Sequence, residues 1–200
     1  MKAAVLVSAF AVLALSTPAA AQFRTVQKAP VTWVTGWVGG YMSPGSVVDA
    51  ESGKWDFGSS FAGGLGLHRQ VGRSLVLGVE GSFAPAAYER LDLDTNEVLG
   101  SGNARLVTGM LTGRLQTGGG GGLGMYVTGG IGAVVYGIPD LDRWDPDLAL
   151  RTGAGMEYRP SHNRALFLEW GQLWTYHQKE GVRDNTAKHS QLRAGVRFGF

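Results

Sequence analysis

Seven charged residues recur at alternate positions along segments that are otherwise apolar: Glu80, Arg114, Arg151, Glu157, Glu169, Arg193 and Arg197. Neighbouring residues of a strand point to opposite faces, so each of these charges shares a face with glycines and small polar residues. Carboxylates and guanidiniums facing one narrow interior form ion pairs, because each charge offsets the other's loss of water and an unpaired partner is costly. Counting back from the flanking connections sets Glu169 beside Gly195, with Arg193 and Arg197 on either side and Glu157 near by. In its ordinary reading such a network fills an interior. A gated proton or ion path is the sharper alternative.

Other reactive residues lack the spacing their chemistry needs. Asp92-x-Asp94-x-Asn96 begins like a calcium loop, yet Glu97 stands where glycine makes the turn and no Glu closes the motif. Asp140, Asp142, Asp145 and Asp147 crowd one connection, where solvated carboxylates are commoner than a cation site. Five glycines at 118–122 lack the Lys-Ser/Thr of a phosphate loop and read as a turn. A hydrolytic Ser oriented by a His needs both on one accessible face. His189 and Ser190 are adjacent, so a strand separates them, and Gln178 and Lys179 follow His177. His68 and His162 have no ligand partners at useful spacing. There is no Cys, hence no thiolate chemistry. No catalytic residue, metal or cofactor is expected.

The elements that must position the seven charges are strands. About eight alternating segments follow one another, near 31–42, 55–69, 74–84, 104–116, 123–138, 148–159, 165–176 and 188–200. Long breaks near 43–54, 85–103, 139–147 and 177–187 alternate with tight ones near 70, 118 and 162. Outer-membrane barrels show this alternation of long external loops and short periplasmic turns. Segments of around ten residues suit tilted membrane-crossing strands. The closing segment is the clearest: Leu192, Ala194, Val196, Phe198 and Phe200 face one way, and His189, Gln191, Arg193, Gly195, Arg197 and Gly199 the other.

Composition agrees. Only 17% of the chain is charged, 32 residues are Gly, and no apolar run after the N-terminus approaches the roughly 18 residues of a membrane helix. A net charge of +2 with scattered basic residues gives nucleic acid no binding stripe. Residues 1–21 read as a secretory signal: Lys2, an apolar core at 3–15 and Ala19-Ala20-Ala21 before the cleavage point. Residues 22–30 are a short periplasmic lead, and 31–200 the barrel.

Alternation alone does not say which face is outside. Glycine on a solvated face would weaken strands without return, whereas a narrow barrel interior needs small residues among large ones. Aromatics also fall at both ends of the apolar face. Phe57, Phe83, Trp174 and Tyr176 are assigned to the external girdle, and Trp33, Tyr158, Phe198 and Phe200 to the periplasmic one. The apolar face therefore meets lipid.

Three stretches carry a family resemblance: Tyr126-Val127-Thr128-Gly129-Gly130-Ile131-Gly132, Gly153-Ala154-Gly155-Met156-Glu157-Tyr158 and Arg193-Ala194-Gly195-Val196-Arg197-Phe198-Gly199-Phe200. They resemble the small eight-stranded outer-membrane barrels related to the OmpA transmembrane domain. The resemblance implies an all-β fold, a closed antiparallel up-and-down transmembrane barrel in the Gram-negative cell envelope. It also implies that Phe198 and Phe200 mark the end for the barrel-assembly machinery. The expected partners are that machinery, outer-membrane lipid and an extracellular ligand that the sequence does not name. A monomer with a structural or surface-recognition role is expected, a small ion or proton channel comes second, and an outer-membrane lipid hydrolase third.

Overall fold

The computed structural model describes residues 32–42, 46–49, 53–92, 94–117, 122–138, 143–176, 182–184 and 186–200. Among them the regular elements are eleven strands: β1 (Thr32–Met42), β2 (Ser46–Asp49), β3 (Gly53–Phe57), β4 (Ser60–Gln70), β5 (Leu75–Leu91), β6 (Val98–Gln116), β7 (Gly122–Ile138), β8 (Arg143–Ser161), β9 (Arg164–Tyr176), β10 (Val182–Asp184) and β11 (Thr186–Gly199). Eight of them form the wall in the order β5-β4-β1-β11-β9-β8-β7-β6, and β6 pairs back onto β5. Every pairing is antiparallel, so the sheet closes without a free edge. The short strands β2, β3 and β10 raise the wall at the loop end, where β3 pairs with β5, β2 with β3, and β10 with β2.

The outer surface is apolar. Phe61 and Leu65 are 77% and 70% exposed, and Leu77, Val79, Leu111, Val127, Ile131, Met156, Leu168 and Leu192 continue the belt around the barrel. A contiguous belt of this size is far beyond what a water-soluble monomer exposes. It suits hydrocarbon, because a closed sheet pairs its backbone polar groups within the wall. Tyr158, Phe198 and Phe200 lie toward the end holding β1's start and β11's finish, while Phe61 and Phe83 lie toward the loops.

Inside, space is short. A Cβ on Gly155 would fall 2.6 Å from the Tyr126 ring, and one on Gly64 would run into the Trp37 indole. These glycines stand where large inward side chains of neighbouring strands cross, the small-beside-large packing of a narrow barrel. Gly122 opens β7 at φ 105°, a left-handed backbone that side chains strain to adopt. The rest of the 118–122 glycine turn lies outside the described residues.

Several expectations need correction. Trp33 and Phe57 are not girdle residues: both are buried in the lumen. In β1 the inward set is Trp33, Thr35, Trp37 and Tyr41, leaving Val34, Val38 and Met42 outside. Phe57 turns inward because Gly58 and Ser59 interrupt the strand between β3 and β4, shifting the alternation by one residue before Phe61. The long connection at 85–103 is mostly hairpin. β5 runs on to Leu91, β6 starts at Val98, and Ala84, Ala86 and Tyr88 continue the inward face past Pro85. The 43–54, 139–147 and 177–187 connections are likewise shortened by β2 and β3, by the start of β8 at Arg143, and by β10 and the start of β11. The proposed signal and lead, and with them His177, Asp140 and Asp142, lie outside the described residues.

Candidate functional site

The lumen has two tiers. Toward the loops it is apolar and aromatic: Tyr41, Trp55, Phe57, Tyr88 and Tyr136 pack with Leu106, Val134, Leu173 and a set of alanines. Ring centroids of Trp55 and Tyr88 are 5.3 Å apart, and those of Phe57 and Tyr136 5.2 Å. Three polar side chains of this tier are paired. The Tyr136 hydroxyl is 3.0 Å from Thr175 Oγ1 and 2.9 Å from Nε2 of His189, which is 1% exposed. Ser190, next in sequence, falls on the opposite face of β11, so no Ser–His pair forms there.

The second tier is ionic, and strand pairing brings together residues distant in sequence. Glu80 on β5, Arg151 on β8, Glu169 on β9 and Arg193 on β11 form a closed ring of alternating charge. Arg193 grips Glu169 with two parallel bonds, Nε to Oε1 at 2.9 Å and Nη2 to Oε2 at 3.0 Å. Its Nη1 donates to Glu80 Oε2 at 2.7 Å. Arg151 completes the ring, donating from Nη1 to Glu80 Oε2 at 2.7 Å and from Nη2 to Glu169. The strands β5 and β9 stand four places apart either way round the eight-strand wall, so the ring spans the full width of the lumen. His68 extends it, with Nε2 3.1 Å from Glu80 Oε1 and Nδ1 3.1 Å from Thr35 Oγ1. The Trp37 indole lies 5.1 Å from the Arg193 guanidinium.

Nearer the end holding the termini sits a second cluster around Glu157. Arg114 Nη1 donates to its Oε2 at 3.0 Å, Arg159 Nε to its Oε1 at 2.5 Å, and Arg197 Nη1 to Oε2. Arg159 also donates to Gln116 Oε1 at 3.1 Å, and Arg197 to the Tyr126 hydroxyl at 3.3 Å.

All seven charges singled out from sequence face the lumen, but they divide between two clusters rather than meeting around Glu169. The expected register was two residues out. Arg193 pairs directly with Glu169 and Gly195 with Phe167, and Arg197 lies against Glu157. Counting across the 177–185 connection misses this, because the number of residues a loop consumes is not written in the alternation. His68 and Arg159 also face the lumen, and strand parity is the one sequence signal that marks them.

The Asp92-x-Asp94-x-Asn96 stretch folds as a turn. Asp92 Oδ1 accepts from the backbone N–H of Asp94 and Thr95, each at 2.9 Å, and from the Thr95 hydroxyl at 3.1 Å. Those bonds hold its carboxyl below the usual aspartate range. Among the described residues no group of three or more His, Cys, Asp or Glu is placed to hold a metal ion.

A family model described as outer membrane protein beta-barrel domain matches residues 7–200. Among solved structures, the chain resembles Neisserial surface protein A at 13% identity, covering 84% of this chain and 97% of that one with a TM-score of 0.56. Outer membrane protein OprG from Pseudomonas aeruginosa gives 14%, 86%, 97% and 0.57 for the same measures. The N-terminal beta-barrel domain of Pseudomonas aeruginosa OprF gives 15%, 86%, 100% and 0.51. At these identities the likeness is one of fold. No curated protein matches the sequence.

Proposed function

The chain belongs to the family of outer membrane protein beta-barrel domains, and from that premise we propose that it is a plugged, monomeric barrel acting through its outer wall and its loop end. The observation that carries this reading is the doubly closed lumen: a ring of four paired charges reaches across it, and a packed aromatic tier stands above. With the interior filled, recognition falls to the loops, the usual carriers of function on a rigid scaffold. They are acidic: Glu89, Asp92, Asp94 and Glu97 stand against Arg90 in 85–102, and Asp140, Asp142 and Asp145 against Arg143 in 139–147. That charge favours a cationic ligand. The fourth carboxylate of 139–147, Asp147, is not a solvated loop group as expected but is buried in the wall's inward face. In this reading residues 1–21 are removed after Ala21 on export, 22–30 form a periplasmic lead, and Phe198 and Phe200 are read by the assembly machinery in placing the barrel in outer-membrane lipid.

The second reading is a small ion or proton channel with the ring as its gate, and the third is a lipid hydrolase. Recording in planar bilayers separates the first two. The plugged barrel gives no steady conductance. Steady current from the wild-type protein that Glu169→Ala alters would transfer the function to the lumen.

A further inference from the structure

The two ionic clusters differ in charge balance. In the ring Glu80 and Glu169 meet Arg151 and Arg193, two against two. At the other cluster Glu157 is, among the described residues, the one carboxylate facing Arg114, Arg159 and Arg197, which leaves two positive charges in excess. None of these three Arg side chains is more than 9% exposed, so water does little to compensate them. Each guanidinium carries five N–H donors. Protein acceptors take one from Arg114 and two each from Arg159 and Arg197. Among the described residues, Arg114 Nε and Gln116 Nε2 are buried donors without a hydrogen-bond partner. Aromatic faces shield the cluster, with Arg197 at 4.0 Å from Phe167 and Arg159 at 5.5 Å from Trp33, but a ring quadrupole does not neutralise a full charge.

We propose that Glu157, Arg114, Arg159, Arg197 and Gln116 form an oxyanion site that takes a phosphate-type anion. Guanidinium forks match the tetrahedral oxygens of phosphate, and the excess positive charge attracts its negative charge. The cluster lies at the mouth: Gln116 ends β6, and Arg159 lies two residues before the end of β8. Exposed Arg69, Arg73 and Arg164 surround the same end and draw anions toward it. Phosphate chemistry reaches this mouth from two sources, a free oxyanion or a phospholipid headgroup of the adjoining leaflet. The site stands on this charge geometry and is independent of what the loops recognise.

The test uses full-length protein refolded in nonionic micelles and titrated with inorganic pyrophosphate, followed by phosphorus NMR and thermal unfolding, against NaCl at matched ionic strength. A parallel arm uses micelles doped with phosphatidylglycerol. Saturable stabilisation is expected, weakened about tenfold or more by Arg114→Gln or Arg159→Gln. Glu157→Gln removes the competing internal anion and keeps its shape, so binding tightens about tenfold even where the barrel itself loses stability. A purely structural cluster would not show that opposite sign. A response to pyrophosphate in lipid-free micelles assigns the site to a free oxyanion, and a response confined to the doped micelles assigns it to a headgroup. Stabilisation equal to that of NaCl, no saturation in either arm, or affinity indifferent to Glu157→Gln overturns the proposal. Heat-modifiable migration checks that each variant folds. Should the Arg variants fail there, the wild-type and Glu157→Gln titrations decide.

Discussion

One lumen is filled in two different ways. Toward the loops the wall's inward side chains pack as aromatic rings and alanines. Half-way down they pair as charges. The packed tier consists of many small, replaceable contributions, since a lost methyl group costs only its own burial and the cavity it leaves. The ionic tier consists of a few mutually dependent ones, where each charge is tolerable only because its neighbours are present. The same geometric task therefore yields a tier that degrades gradually and one that fails as a unit.

The largest expected effect tests that difference directly. Arg193→Ala leaves two buried carboxylates, Glu80 and Glu169, to share Arg151 alone and should cost about 3–5 kcal/mol, read from urea unfolding in lipid vesicles. Replacing Glu169 and Arg193 together by Gln should cost less than Arg193→Ala alone. If the double replacement costs as much or more, the ring is not self-compensating and the contrast collapses. In the packed tier, fully buried Leu173 is the matching position. Leu173→Ala should cost about 2–3 kcal/mol, and its effect should add to that of distant alanine changes rather than couple to them.

The smallest effect extends the comparison to a carboxylate in water. Asp92, at the tip of the β5–β6 hairpin, is held ionised by the backbone N–H of Thr95 and Asp94 and by the Thr95 hydroxyl. Because its folded pKa is lowered, the turn gains stability above the ordinary aspartate value and loses it as pH falls through the lowered one. Amide exchange at Asp94 and Thr95 should quicken in that acid window, and Asp92→Ala should abolish the pH dependence. Unchanged protection across the window would show that the carboxylate does not hold the turn.

How much of this was legible in the sequence follows from what alternation encodes. Parity is local, so the facing of β5 to β9 and β11 could be read residue by residue, including all seven charges. It fails where the chain skips a step. Gly58 and Ser59 carry no mark that distinguishes a strand interior from an interruption, and Phe57 was placed outside for that reason. Register is non-local: Arg193 opposite Glu169 depends on the path of the 177–185 connection. The aromatic tier breaks the polar character of the inward face but not its phase. Val134 and Tyr136 continue Thr128, Gly130 and Gly132, and Ala86 and Tyr88 continue Ser82 and Ala84 past Pro85. The excess of positive charge at Glu157 was beyond sequence, since it depends on which of five arginines each carboxylate meets.

The closing strand has a consequence for the order of folding. Arg193 contacts Glu80 across 113 positions of sequence and Glu169 across 24, and both contacts wait on β11, the last strand in the wall to emerge. A barrel halted one strand short holds Glu80 and Glu169 with Arg151 as their sole ring guanidinium, a surplus of negative charge facing an open seam. Long-range contacts of this kind form late. The final strand thus supplies hydrogen bonds to two edges and discharges the interior in the same step, so that an incomplete barrel remains electrostatically distinct from a finished one until its last residues dock.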